Sequence, residues 1–183
     1  MKTISSHALQ HGDVLLYNDR LRHSSFYVDG IHLITGAKYE HSAIIWEENH
    51  CRYVLEQLEL RTHTLLKYYH PLPYERIWAF RPTFDIPHQW SQYWFQQAKY
   101  GYSTVTDCLI NHLLGRLTLN HWRYRPLTRK FWQSDRIDCS GLVAEMLELT
   151  ENTDWCEYPS TIEPGTFALH PESFTELGEV VWS

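Results

Sequence analysis

A cysteine that attacks a carbonyl needs a thiolate, an imidazole to take its proton and a polar group to orient that imidazole. The segment Asp138-Cys139-Ser140-Gly141-Leu142-Val143 offers the first of these. Leu142, Val143, Met146, Leu147 and Leu149 form an apolar helical face that begins just after Asp138-Cys139-Ser140, so Cys139 falls in the opening turn of a helix. A thiol there meets the positive end of the helix dipole and unpaired N–H groups, which favour the thiolate and can also hold an oxyanion. Ser140 and Gly141 are small enough to leave the sulfur reachable. On residue type alone an inert, buried cysteine is the commoner outcome. The weight therefore falls on what accompanies it.

The candidate base is His41, at the head of His41-Ser42-Ala43-Ile44-Ile45-Trp46, and the candidate orienting group is Glu56 in Cys51-Arg52-Tyr53-Val54-Leu55-Glu56-Gln57-Leu58. Both stretches read as strands, joined by the polar loop Glu47-Glu48-Asn49-His50. Closing the hairpin about the Glu48–Asn49 bond sets Trp46 opposite Cys51, Ala43 opposite Val54 and His41 opposite Glu56. Directly opposed residues share a sheet face, with Cβ atoms roughly 5 Å apart. A carboxylate in that place accepts the imidazole N–H and leaves the other ring nitrogen for the thiol. A slip of one residue would separate the two onto opposite faces. Gln57, Glu59 and His63 are neighbouring polar residues that compete with Glu56 for the role.

The elements that must position these groups fall into two halves. The first half is strand-rich: Asp13-Val14-Leu15-Leu16-Tyr17 follows Gly12, and Arg76-Ile77-Trp78-Ala79-Phe80 runs up to Pro82. The second half is more helical, over His88 to Lys99, over Thr106 to Leu114 as a weaker candidate, and from Cys139 onward. After Thr150 the chain reads as irregular, punctuated by Pro159, Pro164 and Pro171. Repeats, low-complexity tracts and Gly/Ser linkers are lacking, so residues 1–183 read as a single domain of α+β class. The aromatic- and arginine-rich segment from Asp107 to Asp135 is a candidate cap over a cleft.

Asp-Cys-Ser-Gly-Leu-Val resembles the nucleophile motif of the NlpC/P60 superfamily of papain-like cysteine peptidases. In the usual order of that family the Gly-Asp strand and the His strand follow the cysteine. Here Gly12-Asp13-Val14-Leu15-Leu16-Tyr17 and Glu40-His41-Ser42-Ala43-Ile44-Ile45 precede it, an order that resembles the circularly permuted, YiiX/YebB-like branch. Lecithin:retinol acyltransferase-like enzymes are related to that branch. The resemblance extends over most of the chain, through Arg76 to Pro82 and Ser160-Thr161-Ile162-Glu163-Pro164-Gly165. Gly141 stands where the permuted branch often carries Glu. The resemblance implies a papain-like fold, with an antiparallel sheet or half-barrel packed on helices, and a Cys139-His41-Glu56 triad. Tyr17 is the accompanying candidate for an oxyanion donor. The implied chemistry is hydrolysis of an amide or peptide bond through an acyl-enzyme; the alternatives are acyl transfer on a lipid, or a binding module on the same fold.

Composition narrows the partners. At 43% hydrophobic and 21% charged residues the chain reads as globular rather than disordered. A net charge of −6, with no concentrated basic run, speaks against nucleic acid. No apolar run is long enough to span a bilayer, and MKTISSHALQHGD lacks the apolar core of an export signal. A cytoplasmic location and reduced thiols are thus expected. The 12 histidines and four cysteines make no metal-ligand spacing, so neither metal nor cofactor is expected. Of the other cysteines, Cys108 falls in an apolar helical stretch, and Cys51 and Cys156 lack the setting of a nucleophile.

Overall fold

An unbroken apolar run such as Val14-Leu15-Leu16-Tyr17 is stable as a strand only when both of its faces are covered, and it lies near the middle of a seven-stranded sheet in the computed structural model. The structure describes residues 2–18, 38–57, 62–72, 75–86, 99–100, 136–156 and 162–182. Its strands are β1 (Thr3–Ser5), β2 (Val14–Asn18), β3 (His41–Glu48), β4 (Cys51–Glu56), β5 (Thr62–Leu65), β6 (Arg76–Pro82), β7 (Lys99–Tyr100), β8 (Arg136–Ile137) and β9 (Phe174–Val181). Among the described residues from Cys139 onward there are three α-helices: α1 (Cys139–Met146), α2 (Leu149–Asn152) and α3 (Thr166–Leu169). The large sheet runs β1-β9-β6-β2-β3-β4-β5, and β7 pairs with β8 separately.

Among the described residues this is an α+β architecture, with a mixed sheet curled into a half-barrel and few helices. The sheet is mixed rather than antiparallel throughout, because β1 runs parallel to β9. Each face of the sheet carries its own core. Val14, Leu16, Ile44, Trp46, Leu55, Trp78 and Phe80 pack with Leu142, Val143 and Met146 of α1. Leu15, Tyr17, Ala43, Ile45, Val54, Ile77 and Ala79 pack on the other side with Leu9, Leu66 and Val180.

The segment before β2 is fixed by two residues of unlike chemistry. Gly12 adopts φ 82, and a Cβ there would lie 1.8 Å from Cδ1 of Ile86. Asp13 is fully buried and takes both ends of a guanidinium, from Arg81 Nε at 2.7 Å and Nη2 at 2.8 Å. Its Oδ2 also accepts from the Gln10 N–H at 2.8 Å. Buried carboxylates persist only when paired and hydrogen-bonded in this way, and this pair links the start of β2 to β6.

Three expectations differ from the structure. The hairpin turns on Asn49-His50 alone, with Glu48 opposite Cys51, Ile45 opposite Val54 and Ala43 opposite Glu56. Both turn residues have positive φ, 51 and 61, the pattern of the tight turns whose twist matches that of the flanking strands. The pairing is therefore shifted by two residues from closure about Glu48–Asn49. Secondly, the stretch after Thr150 contains the eight-residue strand β9, which pairs with both β6 and β1. A bulge hides it from pattern reading: Ala79 faces Gly178 and Phe80 faces Glu176, so Leu177 is an extra residue that breaks the alternation. Gly178 has φ 114, and a Cβ on it would meet Lys2 O at 2.3 Å. The apolar face from Leu142 to Leu149 is likewise split, because Glu148 turns to φ 49 between α1 and α2. The expected helices over His88–Lys99 and Thr106–Leu114, the candidate cap over 107–135 and Cys108 lie outside the described residues, apart from Lys99 in β7.

Candidate functional site

Asp138 starts α1 as its N-cap, in extended geometry, with Oδ1 accepting from the Gly141 N–H at 2.6 Å. Burial pushes its carboxyl up to about 6, against the opposing pull of the Gly141 N–H. The Ser140 hydroxyl donates to Ile162 O at 2.7 Å, which fastens the helix start to the chain before α3. Cys139 follows as the first helical residue, 8% exposed. Sequence and structure thus agree on where the thiol stands: in the first turn, beside N–H groups that have no partner within the helix.

The other three candidate residues lie at or next to strand ends. His41 is the first residue of β3, Glu56 the last of β4, and Tyr17 lies directly opposite His41 on β2. Glu56 faces Ala43, so His41 is its diagonal neighbour rather than its direct one. A two-residue shift keeps both on one sheet face, and a diagonal gap of roughly 7–8 Å between backbones is within reach of long side chains. The two side chains close it: His41 Nε2 lies 3.0 Å from Glu56 Oε2. Gln57, one residue on, belongs to the opposite face by alternation, and His63 is occupied in a ring contact with Tyr53 at 4.1 Å.

With Nε2 turned to Glu56, Nδ1 is the ring nitrogen left for the sulfur. Burial lowers the His41 pKa, but the charge and hydrogen bonding of Cys139, together with Glu56, outweigh it and raise the imidazole to about 10. Cys139 is therefore the ring's neighbour on one side and Glu56 on the other. Alternation carries His41 to the face shared by Ala43 and Ile45, away from the body of α1. As the first residue of its strand it stands at the sheet margin, and there the first residue of the helix meets it.

Tyr17 is buried, its ring 5.0 Å from that of His41. Its hydroxyl lies 2.8 Å from the hydroxyl of Tyr69, so the group expected as an oxyanion donor is engaged in a tyrosine pair. Tyr69 follows the 3-10 turn Leu66–Tyr68 and also hydrogen-bonds Glu56. Sequence reasoning missed it. It sits in Tyr68-Tyr69-His70-Pro71, where no periodicity or motif marks one aromatic residue above another.

Cys51 and Cys156 are free thiols remote in kind from this arrangement, one exposed and one held well up, to about 12, by burial. Among the described residues no three His, Cys, Asp or Glu side chains gather so as to hold a metal ion. No helix among them is long and apolar enough to cross a membrane.

No protein-family model matches the chain, and no curated protein matches it either. Among solved structures it is similar to one described as the metalloprotein yiiX from Escherichia coli O157:H7, with 19% identity and a TM-score of 0.39. The match covers 78% of this chain and 65% of that one, so the chain spans just under two thirds of the protein it matches.

Proposed function

We propose that this chain is a cysteine hydrolase of permuted papain-like fold, in which Cys139, His41 and Glu56 act as one unit on an amide or peptide bond. The observation that carries the proposal is the His41 ring held between a thiol and a buried carboxylate, with Nε2 fixed 3.0 Å from Glu56 Oε2. A lone buried histidine would have its pKa lowered by desolvation; this one is raised by its two partners.

The chemistry follows from that placement. The Cys139 proton passes to His41 Nδ1, giving a thiolate beside an imidazolium. Sulfur attacks the carbonyl carbon, and the electron pair of the C=O bond moves onto oxygen, where the Cys139 N–H helps to hold it. As the oxyanion collapses the C–N bond breaks, and the leaving nitrogen takes the proton from His41. Water, deprotonated by the same ring, then releases the acyl group and restores the thiol. Glu56 accepts from the ring throughout, fixing the tautomer and orienting the imidazolium. Amide specificity rests on the resemblance of the Cys139 segment to cysteine peptidases.

The test uses p-nitrophenyl acetate as an activated acyl donor and an N-acyl dipeptide p-nitroanilide as an amide, with peptide mass spectrometry of the quenched protein. An acyl adduct on Cys139 is expected, and Cys139→Ala abolishes it while leaving the melting temperature nearly unchanged. His41→Ala slows acylation by about 10²–10⁴-fold. Acylation that persists in Cys139→Ala, or an adduct confined to Cys51, would remove the proposal.

A further inference from the structure

The orienting carboxylate is itself held. Glu56 ends its strand, and the strand that follows β4 is connected to β6 through a turn carrying Tyr69. The Tyr69 hydroxyl reaches Glu56 on one side and lies 2.8 Å from the Tyr17 hydroxyl on the other. Tyr17 in turn lies opposite His41 in the β2–β3 register, its ring 5.0 Å from the imidazole. The Tyr69 ring is braced against Trp182 at 5.1 Å. The contacts therefore close a loop: His41 to Glu56, Glu56 to Tyr69, Tyr69 to Tyr17, and Tyr17 back to the His41 ring.

We infer that Tyr69, supported by Tyr17, is a positioning residue that acts through Glu56 to hold the His41 ring in line with Cys139. This rests on the proposed thiol–imidazole–carboxylate unit and adds a fourth and a fifth member to it. The physical reason is geometric. Glu56 reaches His41 diagonally across the hairpin rather than directly, so a longer span of side chain must be kept in one rotamer. A second hydrogen bond to the carboxylate restricts that freedom, and buried polar oxygens are ordinarily hydrogen-bonded. Each hydroxyl has one proton, so a chain running Tyr17 to Tyr69 to Glu56 is the direction in which both bonds end on the anion. The charged groups facing the tyrosine pair are Glu56 and Glu75, both of which oppose ionisation of the phenols. The pair therefore remains neutral and available as donors.

The experiment is a ¹⁵N NMR titration of the His41 ring, in wild type, Tyr69→Phe, Glu56→Gln and the double variant, with thermal melting alongside. Phe keeps the ring against Trp182, so a merely structural Tyr69 predicts an unchanged His41 titration. Positioning through Glu56 predicts that Tyr69→Phe moves the His41 midpoint down by about one pH unit, a tenfold loss of preference for the imidazolium. The same account predicts that Tyr69→Phe adds nothing further once Glu56 is Gln, the non-additivity expected of groups in one network. Equal shifts in both backgrounds, or no shift in Tyr69→Phe, would overturn it. If Tyr69→Phe does not fold, Tyr17→Phe removes the outer donor instead and is expected to give a smaller shift of the same sign; no shift there would also overturn it. Failure of the parent proposal reads differently: wild-type His41 would titrate near the ordinary value of about 6.5, and Glu56→Gln would leave it there.

Discussion

Two ionisable groups at the site have raised values, and both stabilise the fold less as pH rises, over different windows. His41 is raised above the ordinary imidazole value, to about 10. Its contribution is fully present below the unfolded value of about 6.5 and is lost as pH rises through about 10. Asp138 is also raised, from 3.8 to about 6, but for a carboxyl group this is a cost of ionisation. Its contribution is present below the unfolded value and is lost as pH rises through about 6. Asp138→Asn keeps an acceptor for the Gly141 N–H and removes the buried charge. Urea denaturation of that variant between pH 4 and 7 is expected to show a flatter pH slope than wild type, with neutral-pH stability no lower. Asp138→Ala removes the cap altogether and is expected to cost about 1 kcal/mol. A slope unchanged by Asn would show that the Asp138 carboxyl is not the group that titrates.

At the scale of elements, most of what positions the site is written in local pattern. The strands around Val14-Leu15-Leu16-Tyr17 and Arg76 to Pro82, the hairpin and the helix starting at Cys139 all follow from apolar runs, alternation and capping. The exact pairing did not follow. Loop composition allows a four-residue or a two-residue turn, and only the positive φ of Asn49 and His50 decides between them. The site tolerated the difference because a shift of two leaves His41 and Glu56 on one face. Such a turn prefers glycine at its second position. His50→Gly is accordingly expected to stabilise the protein by about 1 kcal/mol in urea titration, since an L side chain pays roughly that for the left-handed region. Arg81→Met tests the other anchor. It leaves the Asp13 carboxylate buried without its cation, and a loss of about 3 kcal/mol is expected; a loss below about 1 kcal/mol would mean that Asp13 has found another partner.

Across the whole molecule, what escaped pattern reading were pieces whose structure depends on distant partners. The three residues of β1 and four of β5 are too short to declare themselves, and β9 is masked by its own bulge. Tyr69 reaches the site only because the chain after β5 folds back beside Glu56 and Tyr17, a meeting that no local spacing encodes. The sheet order also separates two regions: β1 and β9 lie on one side of β6 and β2, and the hairpin that carries His41 and Glu56 lies on the other. Gly178→Val places a branched side chain at φ 114 and against Lys2 O, so β1 must shift. A destabilisation of at least about 2 kcal/mol is expected from the strain alone. In the folded fraction, reactivity at Cys139 should be unchanged, which native-state labelling at low denaturant would read.

The most direct measurement of the central claim is site-resolved alkylation by iodoacetamide across pH, with Cys51 as the exposed reference thiol in the same chain. An ordinary thiol becomes reactive as pH approaches about 8.5. The account predicts that Cys139 is alkylated faster than Cys51 at pH 6, and that His41→Ala abolishes this advantage without lowering the melting temperature appreciably. Cys139 labelling no faster than Cys51 at pH 6, or labelling indifferent to His41, would contradict it.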